Sequence, residues 1–224
     1  MKIIIYATHS FGTFETLKQH PDVVVIGYGT KWKGFIEKAK VIHAYLQTLP
    51  PNEIVAVVDG FDSYILKTDG LQQEFLSMDC KVLLSRDSML GGHYMTTRIF
   101  GSCTKNYIVN AGLIMGYVKE LTILYDVLIH GESSDDQRNL NTACKQLPFL
   151  KIDTQEVIFK NVATIEEVRK SSAYICQRPG TFSYSRLFRA IIDYTPYFIP
   201  EILVILFILL AIVYRRKLFK MIRK

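Results

Sequence analysis

The chain has no CxxC pair. Its four cysteines, Cys80, Cys103, Cys144 and Cys176, are widely spread over 224 residues, which argues against a zinc ribbon or a disulfide framework and suits a reducing compartment. A secretory signal is also missing. The opening MKIIIYATHSFGTF has a short apolar stretch followed by a polar run with no small-residue cleavage site, so it reads as the first strand of a sheet. No internal repeat or low-complexity linker interrupts the chain, and one domain to about residue 180 is the economical reading. Net charge is lacking too, outside one place. Of the formal +6, six cations and no acid lie in the last ten residues, RRKLFKMIRK. Residues 1–214 are therefore neutral, and no nucleic-acid partner is expected.

Long apolar runs are scarce, and the exception is FIPEILVILFILLAIVY just before that basic tail. From about Tyr194 to Tyr214 it is long enough to cross a bilayer, with tyrosines near both ends where an aromatic belt would place them. Pro200 and Glu201 leave the uninterrupted run as Ile202 to Val213, so a tilted interfacial helix meeting anionic lipid is the alternative to a span. The expected layout is a domain over 1–180, a connector over 181–194, a membrane segment over 195–214 and a basic tail over 215–224. Without an amino-terminal signal the simplest topology puts the domain in the cytosol. The cations after the hydrophobic segment pull the other way, since they too prefer the cytosolic side.

Within the first 180 residues, strands and helices alternate in the manner of an α/β domain. Strands are expected at Lys2–Ala7, Val23–Ile26, Ile54–Asp59, Lys81–Ser85, near Leu113–Gly116, and near Phe149–Asp153 and Ala173–Cys176. Helices are expected at Phe35–Leu49, Leu71–Leu76, Val118–His130 and Asp135–Gln146. The run Ile54–Val58 reads as a strand buried on both faces of a parallel sheet, and it leads straight into DGFD. Asp59 and Asp62 at a strand's carboxyl end sit where open α/β sheets place ligands. Two such carboxylates can converge on a hard cation such as magnesium or manganese. Alternatively they cap local amides in an Asp-Gly turn.

The order ATHS, GYGTKWKG with Lys40 after it, VVDGFDSYIL, YIVNAGLIMG and SSDDQ resembles the glycosyltransferase domain at the front of animal procollagen lysyl hydroxylases and their viral and microbial relatives. The five elements span about residues 1–150. The resemblance implies a GT-A type, Rossmann-like nucleotide-sugar-binding domain, here followed by a hydrophobic membrane helix. It implies transfer of a hexose, glucose or galactose, from a UDP-sugar to a hydroxyl-bearing acceptor of the hydroxylysine type, with Mn2+ or Mg2+.

By the same resemblance Asp59 and Asp62 ligate the metal, Ala7 and Thr8 line the base and ribose pocket, and Phe61 lies against the uracil. Trp32 and Lys40 fall near the nucleotide, where a lysine suits a phosphate; the plainer readings are a packing aromatic and a solvated helix lysine. Asn110, Ala111 and Gly112 are read as a strand turn against the sugar, and Asp135, Asp136 and Gln137 as the sugar and acceptor side. Locally, Asp135 or Ser134 is also a good N-cap. Adjacent aspartates diverge on a helix, so one can cap while the other faces the cleft, with Asp136 the first candidate for the cleft.

The chain departs from the family at one point. The family closes its metal site with a late histidine, whereas no histidine follows His130 and the corresponding segment reads AYICQRPG. Cys176, Gln177, or the diphosphate and water stand as replacements, and the first two predict weaker metal binding. A catalytically weak, membrane-anchored nucleotide-sugar-binding protein is therefore the second reading. A phosphohydrolase is disfavoured, because those enzymes use DxD rather than DxxD spacing.

Overall fold

The computed structural model describes residues 1–89, 92–179, 192 and 194–222. The expected connector falls almost wholly outside the described residues. Two compact units divide the chain, Met1–Thr181 and Phe182–Lys224.

The first unit is built on strands β1 (Lys2–Tyr6), β2 (Val23–Ile26), β3 (Ile54–Asp59), β5 (Val82–Arg86), β6 (Val109–Tyr117) and β7 (Leu150–Asp153). They form one sheet in the order β2-β1-β3-β6-β5-β7. β1 pairs in parallel with β2 and β3, and β5 with β7, while β6 runs antiparallel between β3 and β5. The expected parallel environment of β3 thus holds on one side only. Strand period explains the layering, since alternate residues point to opposite faces. Ile4, Tyr6, Val55, Val57, Val82, Leu84 and Ile114 meet helices α2 (Phe35–Leu46), α5 (Val118–Ile129) and α6 (Asp136–Ala143). Ile3, Ile5, Ala56, Val58, Leu83, Leu113 and Met115 meet the short helix α1 (Phe14–Leu17) and α3 (Leu71–Ser77) on the other face. Both faces are covered, as the continuous apolar runs require.

A second, three-stranded sheet consists of β4 (Ser63–Ile65), β8 (Phe159–Asn161) and β9 (Ile175–Gln177), in the order β4-β9-β8. The sequence expectation missed β4, β8 and helices α1, α4 (Gly92–Phe100) and α7 (Ile165–Lys170), all short. β6 is longer than expected and takes in Asn110, Ala111 and Gly112. These residues are therefore not a turn: they sit in a strand, beside a register shift of β5 between Leu84 and Ser85. The cysteine expectation also needs correction. Cys103 and Cys144 form a disulfide, their Cα atoms 5.1 Å apart, pinning the loop before β6 to the end of α6.

The second unit contains a 3-10 turn at Thr195–Phe198 and helix α8 (Ile199–Ile222). Thr195–Ile212 is long and apolar enough to cross a membrane, about 27 Å at 1.5 Å per residue. Leu203, Val204, Ile205, Phe207 and Leu210 are all more than half exposed.

Candidate active site

β1 and β3 end side by side, with Tyr6 opposite Asp59. Apolar strand residues are spent at this edge of the sheet, and the chain turns polar where its backbone is released. Gly60 is buried against the Tyr6 carbonyl and the Ala7 side chain. Beyond it Phe61 contacts the ring of His9 at 5.1 Å and that of Phe11 at 5.9 Å. Gly12 adopts φ +57, and any side chain there would strike the Phe61 carbonyl. That carbonyl accepts the Thr13 amide at 3.0 Å. The loop after β1 is thereby folded onto the loop after β3, and Phe11, 44% exposed, gives an aromatic surface beside the two aspartates.

Asp62 is followed directly by β4, whose Ser63 pairs with Gln177 of β9. This pairing carries Gln177 to the aspartates: its Nε2 donates to Asp59 Oδ2 and to Asp62 Oδ1, both at 3.0 Å. The side chain is 2% exposed, and its Oε1 is buried with no hydrogen-bond partner. Cys176 points to the other face of β9, into a small core with Val162, Val168 and Ala173. Of the two replacements considered for the missing histidine, only Gln177 reaches the aspartates. Gly112 lies beneath them, and a Cβ there would collide with the Gln177 amide and with Asp59 Oδ2.

The other oxygen of Asp59 meets a lysine. Lys38 Nζ lies 3.1 Å from Asp59 Oδ1 and 2.7 Å from Asp136 Oδ2. Burial by itself would strip the proton from Lys38, but Asp136 and Asp59 hold its pKa well above the usual lysine value. Burial pushes the Asp136 carboxyl up while Lys38 pulls it back; a contact of 2.7 Å is that of an ammonium with a carboxylate, and the pair is read as ionised. Tyr125 of α5 is buried beside them, its phenol pushed well above its usual pKa by burial. Asp59, Asp62 and Asp136 against Lys38 leave a surplus of two negative charges, which suits a divalent cation.

Asp135 has the other fate open to it. It is the N-cap of α6, its Oδ1 accepting the Arg138 amide at 2.9 Å. Burial, then the neighbouring Asp136, raise its pKa to about 6. Gln137 and Asn110 belong to a further network. Asn110 Oδ1 accepts the Gly112 amide at 2.7 Å, Asn110 Nδ2 donates to Gln137 Oε1 at 3.4 Å, and Gln137 Nε2 donates to Asp87 Oδ2 at 2.8 Å. Asn110 is thus committed within the protein, and it holds the strand segment under the aspartates.

The structure therefore brings together Asp59, Asp62, Asn110, Gly112, Asp136 and Gln137. Ala7 and Thr8 are buried at the end of β1, with Thr8 Oγ1 2.9 Å from His9 Nδ1. Trp32 is half-buried against Tyr6 and Phe35, and Ala111 packs into the core. Lys40 is exposed, its ammonium 3.9 Å from Glu37; the lysine at the site is Lys38. A signal for this was present, because Lys38, Ile42 and Leu46 share one helix face at i, i+4 and i+8 and Lys40 does not. Asp87 was also missed, although it follows the buried strand VLLSR much as Asp59 follows IVAVV. A cavity lined by Leu76, Cys80, Lys81, Tyr117 and Phe149 lies at the opposite ends of the strands and holds none of these residues.

Among solved structures the chain is similar to a glycosyltransferase involved in the glycosylation of the major capsid of PBCV-1, with TM-score 0.51 and 9% identity over 81% of this chain and 96% of that one. Lower scores relate it to the galactosyltransferase LgtC in complex with donor and acceptor sugar analogs (0.45, 12% identity, 81% and 88% covered). The bifunctional glycosyltransferase WbbM scores similarly (0.48, 10% identity, 80% and 45% covered). No family model and no curated protein matches the chain. At such identities the likeness is one of fold. The chain has the mixed α/β fold of GT-A glycosyltransferases, and the likeness does not single out the lysyl hydroxylase family.

Proposed function

We propose that the chain is a metal-dependent glycosyltransferase that moves a hexose from a UDP-sugar to a hydroxyl-bearing acceptor. The observation that carries the reading is the convergence, at the carboxyl ends of β1 and β3 in a GT-A fold, of Asp59, Asp62 and Gln177 on one point, with Lys38 and Asp136 behind it. Asp59 and Asp62 would hold Mn2+ or Mg2+, which supplies Lewis-acid charge stabilisation for a departing diphosphate. In the transfer the bond between the sugar C1 and the diphosphate oxygen breaks, the electron pair leaving with UDP. The acceptor oxygen bonds to C1 and releases its proton to solvent.

The chain's own residues support each part. Phe61 and Phe11 offer a stacking surface to the uracil, with Thr8 at the base and ribose side. Lys38 holds Asp59 and Asp136 in fixed directions, so that they need no further reorganisation when a substrate binds. The Asn110–Gln137–Asp87 network sets the floor on the sugar side. The membrane helix would keep the domain at a lipid surface and near membrane-bound or secreted acceptors.

Calorimetric titration of the full chain with UDP, UDP-glucose and UDP-galactose, with and without Mn2+, tests the reading. Binding is expected only with metal, and Asp59→Asn and Asp62→Asn should each abolish it while keeping the circular dichroism of the parent. Metal-dependent UDP release from one sugar nucleotide supports transfer. Binding without release supports the catalytically weak reading, and a variant that binds like the parent removes the metal assignment.

A further inference from the structure

The donor set at the aspartates leads beyond the reading just given, and rests on it. We infer that Gln177 is the third protein ligand of the cation, making the site an all-oxygen one that needs no histidine. Two features of the side chain point to this. Its Nε2 stands 3.0 Å from one oxygen of each aspartate, about the spacing of neighbouring oxygens around a cation with bonds of ~2.1 Å. Its Oε1 is buried and unpartnered, so that oxygen gives up no hydrogen bond within the protein when the amide turns. A half-turn of the amide about its last side-chain torsion exchanges the two atoms. Three oxygens then face one point, an arrangement that is repulsive unless a cation lies between them.

The surroundings permit that turn. Gly112 presents no Cβ to the amide, where any side chain would meet both amide atoms and Asp59 Oδ2. The β4–β9 pairing holds the Gln177 backbone opposite Ser63, one residue beyond Asp62, so the side chain swings without the strand moving. Without metal the amide NH2 screens the two carboxylates from each other; with metal the amide oxygen completes the coordination. Chemistry then sets the selectivity. Carboxylates and an amide oxygen are hard donors, suited to Mg2+, Mn2+ and Ca2+, whereas imidazole favours Zn2+, Co2+ and Ni2+. A glutamine-closed site should discriminate little in favour of these last three.

The test uses the full chain in detergent with UDP present, reading free Mn2+ by its electron paramagnetic resonance and competing with Mg2+ or Zn2+. Gln177→Leu should weaken Mn2+ about 10- to 100-fold, the range seen when even outer contacts of a metal ligand are lost. Gln177→Glu should bind Mn2+ at least as tightly as the parent, and Gln177→His should gain at least tenfold in preference for Zn2+ over Mg2+. In the parent, the 15N side-chain amide signal of Gln177 should shift on adding Mg2+. If Gln177→Leu binds Mn2+ like the parent and the amide signal stays in place, the ligand assignment is overturned while the metal reading of Asp59 and Asp62 stands. If the parent itself binds no Mn2+ with UDP, the metal reading falls and this inference with it.

Discussion

Asp135 and Asp136 are chemically identical and adjacent, yet one ends a helix and the other joins Lys38 in the interior. The difference lies in direction: the N-cap side chain turns back to the amide of Arg138, and the next residue starts the helix facing Asp59. Asp135 carries a consequence for stability. Its folded pKa is about 6 against a reference of 3.8, so the folded state holds a proton that the unfolded state has lost. Stability at this residue is greatest below about pH 4, falls as pH rises from 4 to 6, and stays reduced above it. Asp135→Asn keeps an amide oxygen for the cap and removes the ionisation. Urea titrations should show the variant more stable than the parent at pH 7, by no more than about 3 kcal/mol, with the difference vanishing near pH 4. Equal pH profiles would mean that the carboxyl is not shifted.

At the scale of elements, the site depends on two sets of pairings between strands distant in sequence. β4 with β9 brings Gln177 to Asp62, and β6 between β3 and β5 sets Gly112 under both. Gly112→Ala should fold, with a loss of about 1–3 kcal/mol from overpacking, and should lose metal-dependent UDP binding because the methyl displaces the Gln177 amide and Asp59. Gly116→Ala, on the same strand, would press its Cβ on the Lys81 carbonyl and Val82. It should destabilise at least as much, because part of what it meets is backbone, and leave UDP affinity unchanged. Thermal melts paired with UDP titration of both variants make the comparison; unchanged affinity in Gly112→Ala would show that the strand does not shape the site.

For the whole molecule, every site residue from Ala7 to Gln177 lies inside the unit Met1–Thr181. Removing residues 195–224 should therefore yield a water-soluble, folded domain that binds UDP and Mn2+ as the full chain does, while the full chain floats with liposomes and the truncated one does not. Aggregation or unfolding of the truncated chain would place α8 in the domain's core instead of a membrane. The Cys103–Cys144 disulfide bears on topology as well. Such bonds persist in oxidising surroundings, the side on which cations after the apolar segment Thr195–Ile212 would leave the domain, and both argue against the cytosolic expectation.

Much of this was local and hence legible in the residues: apolar runs reporting buried strands, helix periods, the acids at a strand end, and an apolar segment followed by cations. Local patterns gave an α/β domain, two acids at a strand's carboxyl end and a helix apolar and long enough to cross a membrane, while the GT-A type was implied by the family resemblance. What they left open was long-range. Whether Lys38 or Lys40 reached the site depended on which face of α2 met the sheet, and whether Cys176 or Gln177 did depended on the register of β9 against β4. The Cys103–Cys144 bond needed the end of α6 brought to the loop before β6. Pairing across many residues is set by how faces pack, because burial is gained only when the distant surface is present. Only the folded chain holds that information.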